Sequence, residues 1–191
     1  MRTQRCKGLQ LLNVYGLPTP SIQFVKVKSE IETLQLAEAP HGWTIRTCSK
    51  NGIDEFGLFN RNYLSSTKVK EELENRYRYG SDDYYYIVYP SWKFLLSMNI
   101  LLVGIEFIIE GNYSSQESIS KGTGLPDFSL IVPMGFLSKI EMKNGSLTLE
   151  VKNYIVRILN LLKNLPFESY YTEVAVKQDG DIIFYELWRL E

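Results

Sequence analysis

The sequence has little histidine and little cysteine, and this scarcity excludes several kinds of site. His41 is the single histidine of the 191-residue chain, so a histidine metal cluster is excluded, and a serine or cysteine triad would have to be built around it. It lies in an Ala-Pro-His-Gly segment typical of a turn, where we expect no chemical role. The two cysteines, Cys6 and Cys48, are too few for a disulfide scaffold and lack zinc-site spacing. They indicate a reducing, cytoplasmic setting, with Cys48 as a buried, unreactive residue of a strand.

The chain also lacks an excess of charge of either sign. It carries 21 Lys+Arg and 22 Asp+Glu, for a formal net charge of −1 at pH 7, which argues against nucleic acid and anionic membrane as partners. Cations and tyrosines alternate within 75–86, as in single-strand binders, but Asp82 and Asp83 there favour a helix end followed by a strand.

Long hydrophobic runs are absent as well. The most apolar stretch, 94–109, is interrupted by polar residues and falls short of the ~20 residues of a membrane span. The basic N-terminus is followed by an apolar run too short for a signal peptide. We therefore expect a protein that is neither secreted nor embedded in a membrane.

Average composition predicts one folded domain. The chain is 45% hydrophobic and 23% charged, and a chain of this size buries roughly 70% of its unfolded surface. In the first half, helices are predicted from apolar residues at helical spacing, strands from alternating apolar residues, and their ends from Gly or Pro. These elements are a helix ending at Gly16, a short strand at 21–28, a capped helix from Ser29 to about Pro40, a strand at 42–48 and an amphipathic helix at 67–77.

The second half is richer in residues that favour strands. Two dipeptides, Asn144-Gly145 and Asp179-Gly180, are typical of two-residue hairpin turns. Strands and helices do not alternate strictly, so the fold class is α+β with mostly antiparallel sheets. The predicted elements are strands at 84–89, 92–96 and 99–110, strands flanking each hairpin turn, and a helix at 151–165.

Several segments resemble the nucleotide-binding domain of phosphoenolpyruvate synthase and pyruvate phosphate dikinase, an ATP-grasp family. The first is Gly-Leu-Pro-Thr-Pro at 16–20, which follows a helix bearing Arg5 and Lys7. In the family, a lysine on this helix precedes such a turn, and it falls on Arg5 with Lys7 as a nearby substitute. The second is Ile-Arg-Thr-Cys-Ser at 45–49, similar to a family strand whose arginine contacts phosphate. The resemblance implies that Arg5, Lys7 and Arg46 bind the phosphates of a nucleotide.

The most specific similarity is Glu117 followed by Gly122 and by Pro126-Asp127, which matches a family signature in residue type and spacing. It implies that Glu117 takes part in nucleotide binding. The alternative is that these residues have only a structural role, since Gly, Pro and Asp are common in loops.

The tail of the chain resembles the family's closing hairpin. Glu173 falls on an acidic position that binds magnesium, Glu186 is a second carboxylate on the partner strand, and Arg189 falls on the terminal arginine. The resemblance implies that the two glutamates hold Mg²⁺ and that Arg189 acts as a catalytic residue on the transferred phosphoryl group. Both carboxylates lie on one face only if the register allows it. The family pattern is broken by Tyr171, Leu187 and Leu190, which replace an aspartate, a glutamine and a proline.

These residues also fit structural roles. Glu173, Glu186 and Arg189 could be charges on the wet face of a hairpin, and Arg46 could pair with a cross-strand acid. The resemblance implies a two-lobed ATP-grasp-like domain over 1–191, with lobes of about 1–83 and 84–191.

Two functions follow from this resemblance. One is binding of ATP with Mg²⁺, as the nucleotide-binding part of a split phosphotransferase whose phosphohistidine or acceptor domain lies on a separate protein chain. The other is a degenerate, non-catalytic module that acts through a protein partner. In the first case, we expect basic residues from the front and acidic residues from the tail to converge in one cleft.

Overall fold

A computed structural model describes residues 5–51, 58–80, 83–113, 125–136, 139–166 and 168–190. The chain forms two compact units: Lys7–Thr19 joins Phe94–Glu191 in one, and Arg5 and Cys6 join Pro20–Lys93 in the other. The described part holds three α-helices, and every strand pairing in its two sheets is antiparallel. The predicted α+β class is therefore confirmed, whereas the predicted lobes, 1–83 and 84–191, stay a prediction.

The helices and strands are named in chain order. They are α1 (Arg5–Val14), β1 (Gln23–Val25), β2 (Trp43–Ser49), β3 (Asn60–Leu64), α2 (Ser66–Tyr79), β4 (Tyr84–Pro90), β5 (Phe94–Val103), β6 (Glu106–Asn112), β7 (Phe128–Pro133), β8 (Glu141–Asn144), α3 (Leu149–Leu162), β9 (Ser169–Lys177) and β10 (Ile182–Arg189). No helix among the described residues is long and apolar enough to cross a membrane.

The unit of Pro20–Lys93 contains a four-stranded sheet in the order β1-β4-β2-β3. Trp43 and Ile45 on one face of β2 are buried in a cluster with Val69 and Leu73 of α2. This packing confirms the predicted strand and the predicted amphipathic helix. Ser65 begins α2, and its side chain accepts a hydrogen bond from the Lys68 backbone N–H at 3.3 Å.

The helix predicted from Ser29 to Pro40 is wrong. The structure has a single short 3-10 turn, Lys28–Ile31, in this segment. Gln23 of β1 explains why the helix stops, because its side chain accepts from the Gln35 backbone N–H at 2.9 Å and donates to the Gln35 carbonyl oxygen at 2.8 Å. Both backbone groups of Gln35 are thereby withdrawn from helical hydrogen bonding.

The second unit contains a six-stranded sheet in the order β10-β9-β5-β6-β7-β8. One face of its central strands is buried and largely apolar, as Met98, Ile100 and Phe107 illustrate. The hydroxyl of Tyr170 on this face donates to the Leu162 carbonyl oxygen at 3.1 Å, which places the end of α3 against the same face. Helix α3 buries one side and has Thr148 as its cap.

Two predictions in this sheet need correction. The strand predicted at 99–110 is divided, because Gly104 has a φ of 60° and joins β5 to β6. The hairpin predicted at Asn144-Gly145 is also wrong. Residues after Gly145 do not return as a strand, since the Thr148 side chain accepts from the Val151 N–H at 3.2 Å and begins α3 instead.

The outer edge of β10 is covered by the segment Lys7–Thr19. The Phe184 backbone N–H donates to the Pro18 carbonyl oxygen at 2.8 Å. A side chain at Gly8 of α1 would begin 2.1 Å from the Leu187 carbonyl oxygen. Only glycine allows the helix backbone to approach the strand so closely.

Candidate functional site

Glu173 and Glu186 occupy directly opposed positions on β9 and β10. Opposed residues of an antiparallel pair project from the same face, with Cβ atoms about 5 Å apart. Both side chains are buried, with Glu173 5% and Glu186 2% exposed. The two carboxylates thus share one face of the sheet, as the metal-site hypothesis requires, and they are not charges on a wet surface.

A β-bulge at Tyr185 produces this arrangement. Before the bulge, Phe184 pairs with Val174, and after it Glu186 pairs with Glu173, so Tyr185 has no partner position on β9. Regular pairing would have placed Glu186 opposite Thr172, on the other face. The Thr172 hydroxyl donates to the Glu186 carbonyl oxygen at 2.7 Å and holds the shifted register.

Each carboxylate accepts a hydrogen bond from an aromatic side chain two residues away on its own strand. The Tyr171 hydroxyl donates to Glu173 Oε1 at 3.1 Å, and Trp188 Nε1 donates to Glu186 Oε1 at 2.9 Å. Tyr171 and Trp188 are themselves opposed residues, and their rings stack with centroids 4.6 Å apart and an angle of 25°. Sequence reasoning missed both donors. Their signal was the mirrored spacing Tyr-x-Glu and Glu-x-Trp at 171–173 and 186–188.

A row of polar side chains extends from the two glutamates across the sheet. Glu173 is opposed to Asn99 on β5, Asn99 to Glu110 on β6, and Glu110 to Ser129 on β7. Because each pair is in direct register, all of them belong to the face of Glu173 and Glu186. Asn99 and Glu110 were also missed, since their alignment depends on a register that the sequence does not reveal.

Arg189 is not on this face. It pairs with Tyr170, whose ring belongs to the buried opposite face, and its side chain is exposed. Strand alternation therefore separates Arg189 from the glutamates. Lys7 lies in the same unit, exposed on α1.

Arg5 and Arg46 both belong to the other unit. Arg46 is half-buried on β2 and opposes Ile87 of β4, on the face away from the apolar cluster, as its alternation predicted. Arg5 Nη1 donates to the Thr47 carbonyl oxygen at 2.9 Å, beside Arg46 along the chain. The two predicted phosphate ligands are therefore close together.

A disulfide between Cys6 and Cys48 fixes the start of α1 to β2. Their Cα atoms are 6.2 Å apart, and Cys48 is fully buried, as predicted. The pairing itself corrects the expectation of reduced cysteines. It could not be predicted, because 42 residues separate the two cysteines in sequence.

Glu117 and Gly122 lie outside the described residues. The end of their motif is structured: an Asp127 carboxylate oxygen accepts from the Tyr113 backbone N–H at 2.8 Å, and the Asp127 N–H donates to Asn112 Oδ1 at 2.9 Å. Asp127 thereby joins the chain at the end of β6 to the start of β7. The role of Glu117 stays a prediction.

The donor set at the hairpin is compatible with magnesium. Mg²⁺ prefers oxygen ligands and is commonly bound by one or two carboxylates together with phosphate and water oxygens. Glu173 and Glu186 supply two such groups. Within the described part of the chain, no cluster of three or more His, Cys, Asp or Glu side chains forms a candidate metal site.

Comparison with known proteins identifies the fold. No protein-family model and no curated protein sequence matches the chain. Among solved structures, it is similar to the ADP complex of purK, an N5-carboxyaminoimidazole ribonucleotide synthetase, with a TM-score of 0.61 and 14% identity over 100% of this chain and 45% of that one.

Two further structures are similar. The RiPP-associated ATP-grasp ligase of Chryseobacterium gregarium, in complex with ADP and a leader and core peptide, has a TM-score of 0.53 and 13% identity over 96% of this chain and 50% of that one. PH1788 from Pyrococcus horikoshii Ot3 has a TM-score of 0.56 and 15% identity over 100% of this chain and 92% of that one. The chain spans about half the length of the two ligases. These similarities, together with the two antiparallel sheets, show that the chain has an α+β fold of the ATP-grasp kind.

Proposed function

We propose that this chain binds ATP as its magnesium complex. The observation that carries the proposal is the direct opposition of Glu173 and Glu186 on one face of the six-stranded sheet. Two buried carboxylates on directly opposed residues, whose Cβ atoms are about 5 Å apart, repel each other strongly in a medium of low polarity. A divalent cation between them removes this repulsion, and bound Mg²⁺ would neutralise phosphate oxygens of the nucleotide.

Phosphate binding is assigned to Arg5, Lys7 and Arg46, and a part in nucleotide binding to Glu117, as the resemblance implies. The support is strongest for Arg5 and Arg46, which are joined through Thr47 and the Cys6–Cys48 disulfide. Guanidinium groups bind phosphate through paired hydrogen bonds. Two guanidinium groups would suit a polyphosphate.

Two similar solved structures contain ADP, which supports a nucleotide ligand. Because those proteins are named a synthetase and a ligase, they favour ligase-type use of ATP over transfer through a histidine. Assignment to the phosphoenolpyruvate synthase type, and a separate chain carrying the phosphohistidine, remain hypotheses. A catalytic role for Arg189 also remains one.

Calorimetric titration with MgATP tests the proposal. We expect heat of binding in the wild type and at least tenfold weaker binding in Glu173→Gln, Glu186→Gln and Arg46→Ala. Glu168→Gln and Arg157→Ala are matched controls, because these residues are exposed, and they should bind as the wild type does. No heat and no thermal shift at millimolar MgATP would reject nucleotide binding and leave a degenerate module that acts through a protein partner.

A cytoplasmic location is a further part of the proposal. In the reducing cytoplasm, cysteines such as Cys6 and Cys48 are normally kept as free thiols, so the disulfide bears directly on this location. Thiol titration of protein isolated under alkylating conditions decides whether the bond exists in the cell.

A further inference from the structure

Tyr171 and Trp188 form a pair that contacts the two glutamates from the same side of the hairpin. The four side chains occupy two adjacent opposed positions, Glu173 with Glu186 and Tyr171 with Trp188. Each aromatic group donates to one carboxylate oxygen, at 3.1 Å and 2.9 Å. Each strand thus carries the same arrangement, an aromatic donor bonded to a glutamate two residues away.

The aromatic pair is suited to fix the carboxylates. An indole or phenol ring has two side-chain torsions, and stacking at 4.6 Å between centroids restrains both rings at once. A carboxylate held by a fixed donor cannot rotate freely about its last torsion. The Oε1 atoms of Glu173 and Glu186 are therefore directed toward the aromatic pair, and the orientation of both carboxylate planes is set before a cation arrives.

We propose that Tyr171 and Trp188 are positioning residues that orient the Glu173 and Glu186 carboxylates for a magnesium ion. The inference rests on the proposed function. It adds a structural reason why the site would prefer Mg²⁺ to Ca²⁺. Mg²⁺ demands near-ideal octahedral geometry, whereas Ca²⁺ accepts flexible and irregular coordination. A rigid carboxylate pair favours the smaller ion, and a loosened pair loses that preference.

Removal of each donor with an aromatic side chain kept at its position tests the inference. Tyr171→Phe deletes one hydroxyl and keeps the stack, and Trp188→Phe deletes the indole N–H. Groups that orient metal ligands typically contribute 10–100-fold to metal affinity. We expect Mg²⁺ affinity in the presence of ATP to fall about tenfold in each variant, and Ca²⁺ affinity by less than about threefold. A change in this ratio is not expected from general loosening of the fold.

Tryptophan emission gives a second readout. Trp188 donates directly to Glu186, whereas Trp43 and Trp92 belong to the other compact unit. We expect a Mg²⁺-dependent change in emission that Trp188→Phe abolishes and Trp92→Phe retains. Tyr154→Phe, a substitution on α3, is the matched control for Tyr171→Phe and should keep both metal affinities.

The outcomes separate this inference from the proposed function. If the wild type binds no Mg²⁺ with or without ATP, both are rejected. If the wild type binds Mg²⁺ and Glu173→Gln abolishes binding, while Tyr171→Phe and Trp188→Phe keep the wild-type Mg²⁺ affinity and Mg²⁺/Ca²⁺ ratio, the positioning role alone is rejected. Thermal unfolding of each variant verifies that it is folded.

Discussion

Glu186 lies directly opposite Glu173 because β10 carries one residue more than its partner strand at Tyr185. The extra residue moves Glu186 from the face of Thr172 to the face of Glu173. A single irregularity in the register thus converts two acids of opposite orientation into a pair. Both carboxyl groups of the pair are buried in this hairpin.

Magnesium should stabilise the unit that contains the glutamate pair. At a free Mg²⁺ concentration one hundred times the dissociation constant, a ligand that binds only the folded state adds about 2.7 kcal/mol. For a chain of this size, we expect the unfolding temperature to rise by about 5–10 °C. Differential scanning fluorimetry in the presence of ATP measures the shift. It should be absent in Glu186→Gln, and an equal shift in that variant would place the ion elsewhere.

Gly8→Ala should destabilise the protein although alanine favours helices. In an ordinary helix interior, the change from Gly to Ala gains up to about 1 kcal/mol. Here the new Cβ would lie 2.1 Å from the Leu187 carbonyl oxygen, so we expect a net loss of about 1–3 kcal/mol in denaturant unfolding. Gly135→Ala is the control, since the position that its new methyl group would take has nothing within 4 Å. A stabilised Gly8→Ala would mean that α1 does not pack on β10.

Tyr170 should make stability fall at alkaline pH. Burial holds the pKa of its hydroxyl well above the ordinary 10.0, so the folded protein keeps the proton at a pH where the unfolded chain releases it. The stabilisation by this group is complete below pH 10 and decreases as the pH rises further, by up to about 1.4 kcal/mol per pH unit. Urea unfolding between pH 8 and 11 measures the slope.

Tyr170→Phe should remove the part of the pH dependence of the unfolding free energy that comes from the Tyr170 proton. It also removes the hydrogen bond to Leu162 and should cost about 1 kcal/mol at neutral pH. Tyr154→Phe is the control and should leave the slope unchanged. Identical slopes in all three proteins would contradict the assignment to Tyr170.

The Cys6–Cys48 disulfide should stabilise the four-stranded unit. Its cysteines are 42 residues apart, and closing a loop of that length in the unfolded chain is worth about 4 kcal/mol. A dithiol reductant should lower the free energy of unfolding by about this amount in the wild type and have no effect on Cys6→Ser. Two free thiols in the protein under non-reducing conditions would contradict the bond.

Much of the secondary structure could be predicted, because local patterns determine it. Strand β2, helix α2 and the β9–β10 hairpin follow from alternation, helical spacing and the Asp179-Gly180 turn, where Gly180 has a φ of 88°. His41 also lies in the predicted turn, as the Gly42 N–H donates to the Ala39 carbonyl oxygen at 2.8 Å. In these segments, local preference and tertiary packing agree.

The errors arise where a side chain competes with the backbone. Ser29 and Glu30 lie in the 3-10 turn Lys28–Ile31, which does not continue as an α-helix, and Gln23 bonds both backbone groups of Gln35. Asn144-Gly145 has the composition of a hairpin turn, but Thr148 caps a helix three residues later. Neither competition is visible in local sequence, because the outcome depends on the rest of the fold.

Two residues of the candidate site could be proposed from the sequence, but their arrangement and the side chains beside them could not. Glu173 and Glu186 could be selected from the sequence, whereas the bulge that aligns them, and the aromatic donors beside them, depend on strand register. Register is a tertiary property, because a shift of one residue reverses every side chain. The same argument applies to Asn99 and Glu110, which share the row.

The segment Lys7–Thr19 and the strand β10 belong to one compact unit, with Pro20–Lys93 inserted between its two parts. During synthesis on the ribosome, the inserted portion is complete well before β10 exists. Hydrogen bonding of Phe184 to Pro18 can form only after about 170 intervening residues have been made, so closure of this loop carries a large entropic cost and is slow. We therefore expect the glutamate hairpin to be among the latest parts of the nascent chain to acquire its final structure.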